Sequence, residues 1–172
     1  MGSSSSPAEP GAEPAAPTAG TPAGNSAAQD VDRALLAALA RDGRASYTEL
    51  AERVGRSVSA VHQRVRRLEQ RGLITGYRAT VDARGVGAGL TAFVSITPLD
   101  QAQADDAPAK LVHLDAIEAC YSVAGIESYL LKVRVASPEA LEALLRAIRT
   151  TANVSTRTTV VLSTFYEDRP PL

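Results

Sequence analysis

Residues 57–71, SVSAVHQRVRRLEQR, concentrate side chains that can hydrogen-bond to nucleic acid. At about 100° per residue, Val58, Val61, Val65 and Leu68 fall on one stripe of a helix. Ser59, Gln63, Arg66 and Gln70 lie opposite, with Ala60 and Arg67 alongside. A Gln amide can bridge an adenine edge, and an Arg guanidinium can reach guanine or a phosphate. The small residues Ser57, Ser59 and Ala60 at the start of the run let its backbone approach a groove closely. Arg64 and Arg71 sit on the flanks, where phosphate contact is the expected role. The same run could be a solvated surface helix whose arginines pair with Glu69, since charge runs usually are.

Other chemistry is hard to find. His62 projects sideways from the stripe, and neither it nor His113 has a sequence-local partner for acid–base or metal work. Cys120 is the single cysteine, too few for a disulfide framework or a Cys-based zinc site. No nucleophile-elbow, Walker or Rossmann pattern occurs. We therefore expect no enzyme, no metal and no cofactor.

A helix reads a groove only if neighbouring elements hold it. Ser46 is a good N-cap, and Glu49 three residues on completes a capping box. The short helix that follows buries Leu50, Ala51 and Val54 and stops at Gly55, which can take a left-handed turn. Ser57 caps the next helix after only Gly55-Arg56-Ser57, the layout of a helix-turn-helix. Upstream, Val31, Leu35, Leu36 and Leu39 recur at helical spacing from about Asp30, and Gly43 closes that element. Gly72 ends the reading helix. Leu73-Ile74 and Tyr77 to Val81 predict a hairpin around Thr75-Gly76, a wing. Residues 29–81 thus read as a winged helix-turn-helix.

The net charge of −1 hides an asymmetry. Arg41 to Arg84 holds ten Arg against five Asp/Glu, whereas Gly85 onward holds seven basic and ten acidic residues. The basic segment suits phosphates, and with the capped turn and the wing it favours double-stranded DNA over a merely solvated helix. Residues 1–28, largely Pro, Ala, Gly, Ser and Thr, are expected to be a disordered tail. The opening MGSSSS lacks a basic region and an apolar stretch, so no secretory signal is expected. No apolar run is long enough to span a bilayer, and a cytoplasmic, nucleoid-associated protein is expected.

Residues 82–89, with three glycines, read as a hinge. From residue 90 to 172 the elements alternate: strand Leu90 to Thr97, helix Ala107 to Leu114, strand Ile117 to Ala124, strand Tyr129 to Val135, a helix opened by Pro138 with Leu141, Leu144, Leu145 and Ile148 inward, and strand Thr156 to Phe165. The order βαββαβ is ferredoxin-like, so the fold class is α+β. Its open sheet face invites a second copy.

The stretch DGRASYTELAERVGRSVSAVHQRVRRLEQRGLITGY, with Asp32-Arg33 before it and the βαββαβ tail carrying AFVSITPLD, CYSVAGIESYLLKVRVAS and TTANVSTRTTVVL, resembles the Lrp/AsnC (feast/famine) regulators from about Asp30 to Arg169. The resemblance implies a DNA-binding unit joined to a regulatory unit that dimerises, often assembles to octamers, and binds small effectors, usually amino acids, between protomers. A dimer would place two reading helices on a roughly palindromic operator.

In that family the loop between the second and third strands reads Gly-Asp-x-Asp, its acidic groups helping to hold an effector's amino group. The matching stretch here is Gly125-Ile126-Glu127-Ser128-Tyr129, which leaves Glu127 as the loop's only carboxylate. Glu127 then takes over that role, or the effector binds differently. Thr156 and Thr158, sharing a strand face, could donate to an effector's carboxylate, or could simply be good strand residues. An architectural DNA binder with little sequence preference is the competing reading, because basic charge alone does not specify sequence.

Overall fold

The computed structural model describes residues 23–100 and 106–171. They fall into two compact units, the first reaching Tyr77 and the second spanning Arg78–Arg169.

The first unit is built from α1 (Ala23–Arg41), α2 (Tyr47–Val54) and α3 (Val58–Gln70). Ser46 caps α2 as the capping box predicts: its Oγ accepts from Glu49 N, and its own N–H donates to Glu49 Oε2 at 2.7 Å. That tie, chiefly the backbone donor, holds the Glu49 carboxyl below its ordinary range. Gly55, left-handed at φ 62°, ends α2, and Arg56 N reaches back to Ala51 O at 3.1 Å. Ser57 then starts α3 by accepting from Ala60 N. A satisfied carbonyl at the end of α2 and a satisfied N–H at the start of α3 allow so short a connection. Leu35, Ala38, Leu50, Ala51, Val61, Val65 and Leu68 form the core, which seats α3 against α1 and α2.

The second unit runs β1 (Leu90–Pro98), α4 (Ala107–Leu111), β2 (Ile117–Ser122), β3 (Tyr129–Val135), α5 (Pro138–Ala152) and β4 (Val154–Val160). Its sheet order is β2-β3-β1-β4, antiparallel throughout, which is the ferredoxin-like βαββαβ arrangement. On β3 the alternation is regular: Tyr129, Leu131, Val133 and Val135 are buried, and the residues between them partly exposed. Both helices pack on that inward face, with Leu111 from α4 and Leu141, Leu144 and Ile148 from α5 in the core.

Several expectations need correction. The predicted disordered tail, residues 1–28, lies outside the described residues up to residue 22, but Ala23–Ala28 belong to α1. Alanines favour a helix, and Arg64 Nη1 donates to Ala28 O at 3.3 Å, tying that turn to α3. The wing hairpin is absent from the described residues, since 75–82 carry no strand. Leu73 N and Ile74 N both donate to Leu68 O, at 2.9 and 3.3 Å, which removes the donors a ladder would use. Residues 82–89 form a bonded turn: Arg84 N meets Asp82 Oδ1 at 3.0 Å and Ala88 N meets Ala83 O at 2.7 Å. Val58 is 46% exposed and leaves the core stripe to Val61, Val65 and Leu68.

α4 stops three residues early, at Leu111, where Leu114 N turns back to Leu111 O. β4 starts at Val154 and ends at Val160 instead of Phe165. Past it Val161 N still donates to Thr91 O at 2.9 Å, and farther along Glu167 meets β3: Lys132 Nζ approaches Glu167 Oε1 at 2.6 Å and Glu118 Oε2 at 3.0 Å, and Arg134 bonds both carboxylates. Burial raises the Glu118 carboxyl, but hydrogen bonds from Arg134 and Lys132 outweigh it and hold it low. The bond from Lys132 does the same for Glu167. Depressed carboxylates contribute stability above their unfolded range and lose it as pH falls through their folded one. The urea midpoint of this unit should therefore hold through neutral pH and fall on acidification below the ordinary carboxylate range. Glu118→Gln with Glu167→Gln should flatten that acid limb, and an unchanged limb would mean the cluster contributes nothing.

Candidate functional site

α3 brings the predicted groove-facing residues onto one exposed surface. Ser57, Ser59, Gln63, Arg66, Arg67 and Arg71 are exposed and Ala60 is half-buried, while Val61, Val65 and Leu68 face inward. The Ser57 and Ser59 hydroxyls lie 3.2 Å apart at the helix start. Arg67 Nε donates to Gln63 O at 3.3 Å, so its side chain lies back along the helix, with its terminal nitrogens left for a ligand. Such a surface, with one amide and several guanidiniums beside small residues, can hydrogen-bond base edges and phosphates together.

Arg64 does something different from the phosphate contact expected of it. Its Nη1 donates to Asp32 Oδ1 at 2.6 Å, and both side chains are about three-quarters buried. The pair bolts α3 to α1. Removing either partner strands a largely buried charge, so Arg64→Ala should destabilise the first unit by about 1–2 kcal/mol, between an exposed and a fully buried pair. A double-mutant cycle with Asp32→Ala checks this, and a coupling near zero would contradict it. His62, which the sequence left without a local partner, meets Tyr47 of α2 edge-on, with ring centroids 4.9 Å apart.

The β2–β3 loop is pinned at its end: Ser128 N donates to Ile96 O at 3.1 Å, and Val123 N to Ser128 O at 3.0 Å. Gly125 and Ile126 are exposed, and open space surrounds the position where a Cβ on Gly125 would stand. Glu127 is half-buried and forms an ion pair with Arg157 of β4. Tyr129 departs from the loop set: it is the first residue of β3 and lies in the core. Thr156 and Thr158 share a face, as alternation predicts, but it is the face covered by helices. Thr156 pairs with buried Ile96 and Thr158 with buried Val94, and Thr156 Oγ1 accepts from Arg149 of α5 at 3.1 Å. Within one protomer, then, the structure groups Glu127 and Ser128 but not the two threonines.

Arg157 is the residue that sequence reasoning passed over. The signal was available: it lies between Thr156 and Thr158, so strand alternation turns it to the opposite face, toward Ser95. Among the described residues no group of three or more His, Cys, Asp or Glu could hold a metal, and no helix is long and apolar enough to cross a membrane.

Comparison with known proteins agrees with this arrangement. Residues 29–75 match the family model described as winged helix-turn-helix DNA-binding, and residues 91–171 match the Lrp/AsnC ligand binding domain. The chain is 61% identical over 145 residues to the HTH-type transcriptional regulator LrpA of Mycobacterium tuberculosis, covering 84% of this chain and 97% of that protein. It is 39% identical over 137 residues to the leucine-responsive regulatory protein of Escherichia coli, covering 77% and 83% respectively. Among solved structures, a feast or famine regulatory protein from M. tuberculosis complexed with L-methionine superposes with a TM-score of 0.80 at 62% identity, covering 82% of this chain and 96% of the other. E. coli AsnC gives 0.75 at 34% identity, covering 80% and 94%. At this identity and coverage the chain belongs to the Lrp/AsnC family, and it is an Lrp-type transcriptional regulator with a helix-turn-helix DNA-binding unit followed by a ligand-binding unit.

Proposed function

We propose that this regulator recognises a specific, roughly palindromic operator in double-stranded DNA as a homodimer that assembles further toward an octamer, and that an amino acid tunes the binding. One observation carries the DNA reading: α3 is capped and seated by its neighbours while Ser59, Gln63, Arg66 and Arg67 stay exposed on one surface. Two such helices in a dimer would meet half-sites about 34–36 Å apart. The sheet face away from the helices carries Phe93, Leu130 and the 52%-exposed Tyr121, a surface suited to a second copy. The protein acts without catalysing a reaction, in the cytoplasm at the nucleoid.

Support for an amino-acid effector comes from the L-methionine in the neighbour at 62% identity and from Glu127 in the loop that matches the family's acidic one. An ammonium group needs an anionic acceptor, and Glu127 supplies it. A thermal-shift screen of amino acids is the test. A ligand binding only the folded state adds about 2.7 kcal/mol at a hundredfold excess over Kd. The expected result is an upward shift with at least one amino acid, lost in Glu127→Ala. A shift with none would overturn the effector reading.

A further inference from the structure

The ion pair between Glu127 and Arg157 joins the β2–β3 loop to the far edge strand of the sheet. The two ends of this pair are held unequally. The Glu127 side chain is 23% exposed on a loop pinned through Ser128, whereas the Arg157 side chain is 68% exposed on edge strand β4. Ser155 and Thr159 flank Arg157 on the same face, and Ser95 is its partner across β1. The carboxylate is thus the more buried end of the pair and the guanidinium the more solvated one.

We infer that Arg157 receives the effector's α-carboxylate while Glu127 holds its ammonium group, the two separating to admit an amino-acid zwitterion between them. The inference rests on the effector reading given above and adds to it the residue that selects the acid end of the ligand.

The chemistry follows from charge pairing. Without ligand, each member neutralises the other, so the half-buried Glu127 is never left uncompensated. A zwitterion replaces one ion pair by two: ammonium to carboxylate, and carboxylate to a planar guanidinium that can bind it through two parallel N–H bonds. A ligand carrying only the ammonium must displace Arg157 and offers it nothing in return. The site therefore discriminates against amines, amides and esters at the carboxyl end. Thr156 and Thr158 do not supply this function within the protomer, because their face lies under the helices and the Thr156 hydroxyl is bonded to Arg149.

The test is titration calorimetry on the full chain with L-methionine and L-leucine, each set against its carboxamide. The wild-type protein should bind at least one free acid about tenfold to a hundredfold tighter than its amide, the range of a hydrogen bond to a charged group. Arg157→Gln should weaken the acid by a similar factor and bring acid and amide within about threefold, because the group that reads the difference is gone. Arg157→Lys should restore part of the preference, as a point charge without the fork. A variant that merely lost packing would weaken acid and amide alike and keep their ratio. That outcome, a preference retained in Arg157→Gln, overturns the Arg157 assignment and leaves the effector reading standing. Equal binding of acid and amide by the wild-type protein overturns it equally. Binding of neither amino acid, with no shift from any other in the thermal screen, overturns both.

Discussion

Replacing Arg66 by Ala should weaken operator binding by about tenfold to a hundredfold, the cost of one guanidinium contact to a base. Arg67→Ala should cost less against the same operator, because its Nε is already engaged with Gln63 O and only its terminal nitrogens are available. Each lost phosphate contact should also lower the slope of log K against log salt by about one. Neither change should move the melting temperature, since both side chains are exposed and substitutions at such positions fall within about 0.5 kcal/mol. Fluorescence anisotropy at several salt concentrations reads both quantities. Unchanged affinity and slope in the double variant would remove α3 from the interface.

Leu68→Ala should be among the most damaging single changes in the first unit, since Leu68 shares its full burial with Leu35 and Leu50. Leu68 is 1% exposed and packs in the core that seats α3. Its carbonyl also accepts from both Leu73 and Ile74, but alanine keeps that carbonyl, so the loss is one of side-chain packing. Leu→Ala in a closed core costs about 2–5 kcal/mol. Val58→Ala, on the same helix and of the same apolar type, should cost less than about 1 kcal/mol because Val58 is nearly half exposed. Chemical denaturation of both variants checks the contrast. Similar losses at the two positions would mean that the burial pattern of α3 is wrong.

Local chemistry was readable because it needs only neighbours in the chain. The Ser46–Glu49 capping box, the left-handed Gly55, the Ser57 cap and the alternation on Tyr129–Val135 all lie within a few residues of their partners. The departures share the opposite property. Ala23–Ala28 is composed like a flexible tail, yet Arg64, thirty-six residues beyond Ala28, reaches back to its carbonyl. The paired strands expected of the wing are not formed among the described residues, where Leu68 O takes the Leu73 and Ile74 donors, a competition that composition does not reveal. Arg64 looked like a phosphate ligand until Asp32, thirty-two residues upstream, claimed it. Thr/Val-rich sequence favours a strand running on to Phe165, whereas β4 ends at Val160 and Glu167 is held by Lys132 and Arg134 on β3. The candidate effector loop lay between these cases. Glu127 stood out as its only carboxylate, but its partner lies two strands away on β4 and could be placed only by the fold.

The central claim is that α3 reads sequence, and the specificity ratio tests it most directly. The operator would be selected from a random library with the full chain, and its Kd compared with that for scrambled DNA of equal length at fixed, near-physiological salt. A ratio of about a thousandfold or more is expected, falling in Arg66→Ala as binding to the selected site weakens more than binding to scrambled DNA. A ratio near one would contradict the account and leave a protein that coats DNA through charge alone.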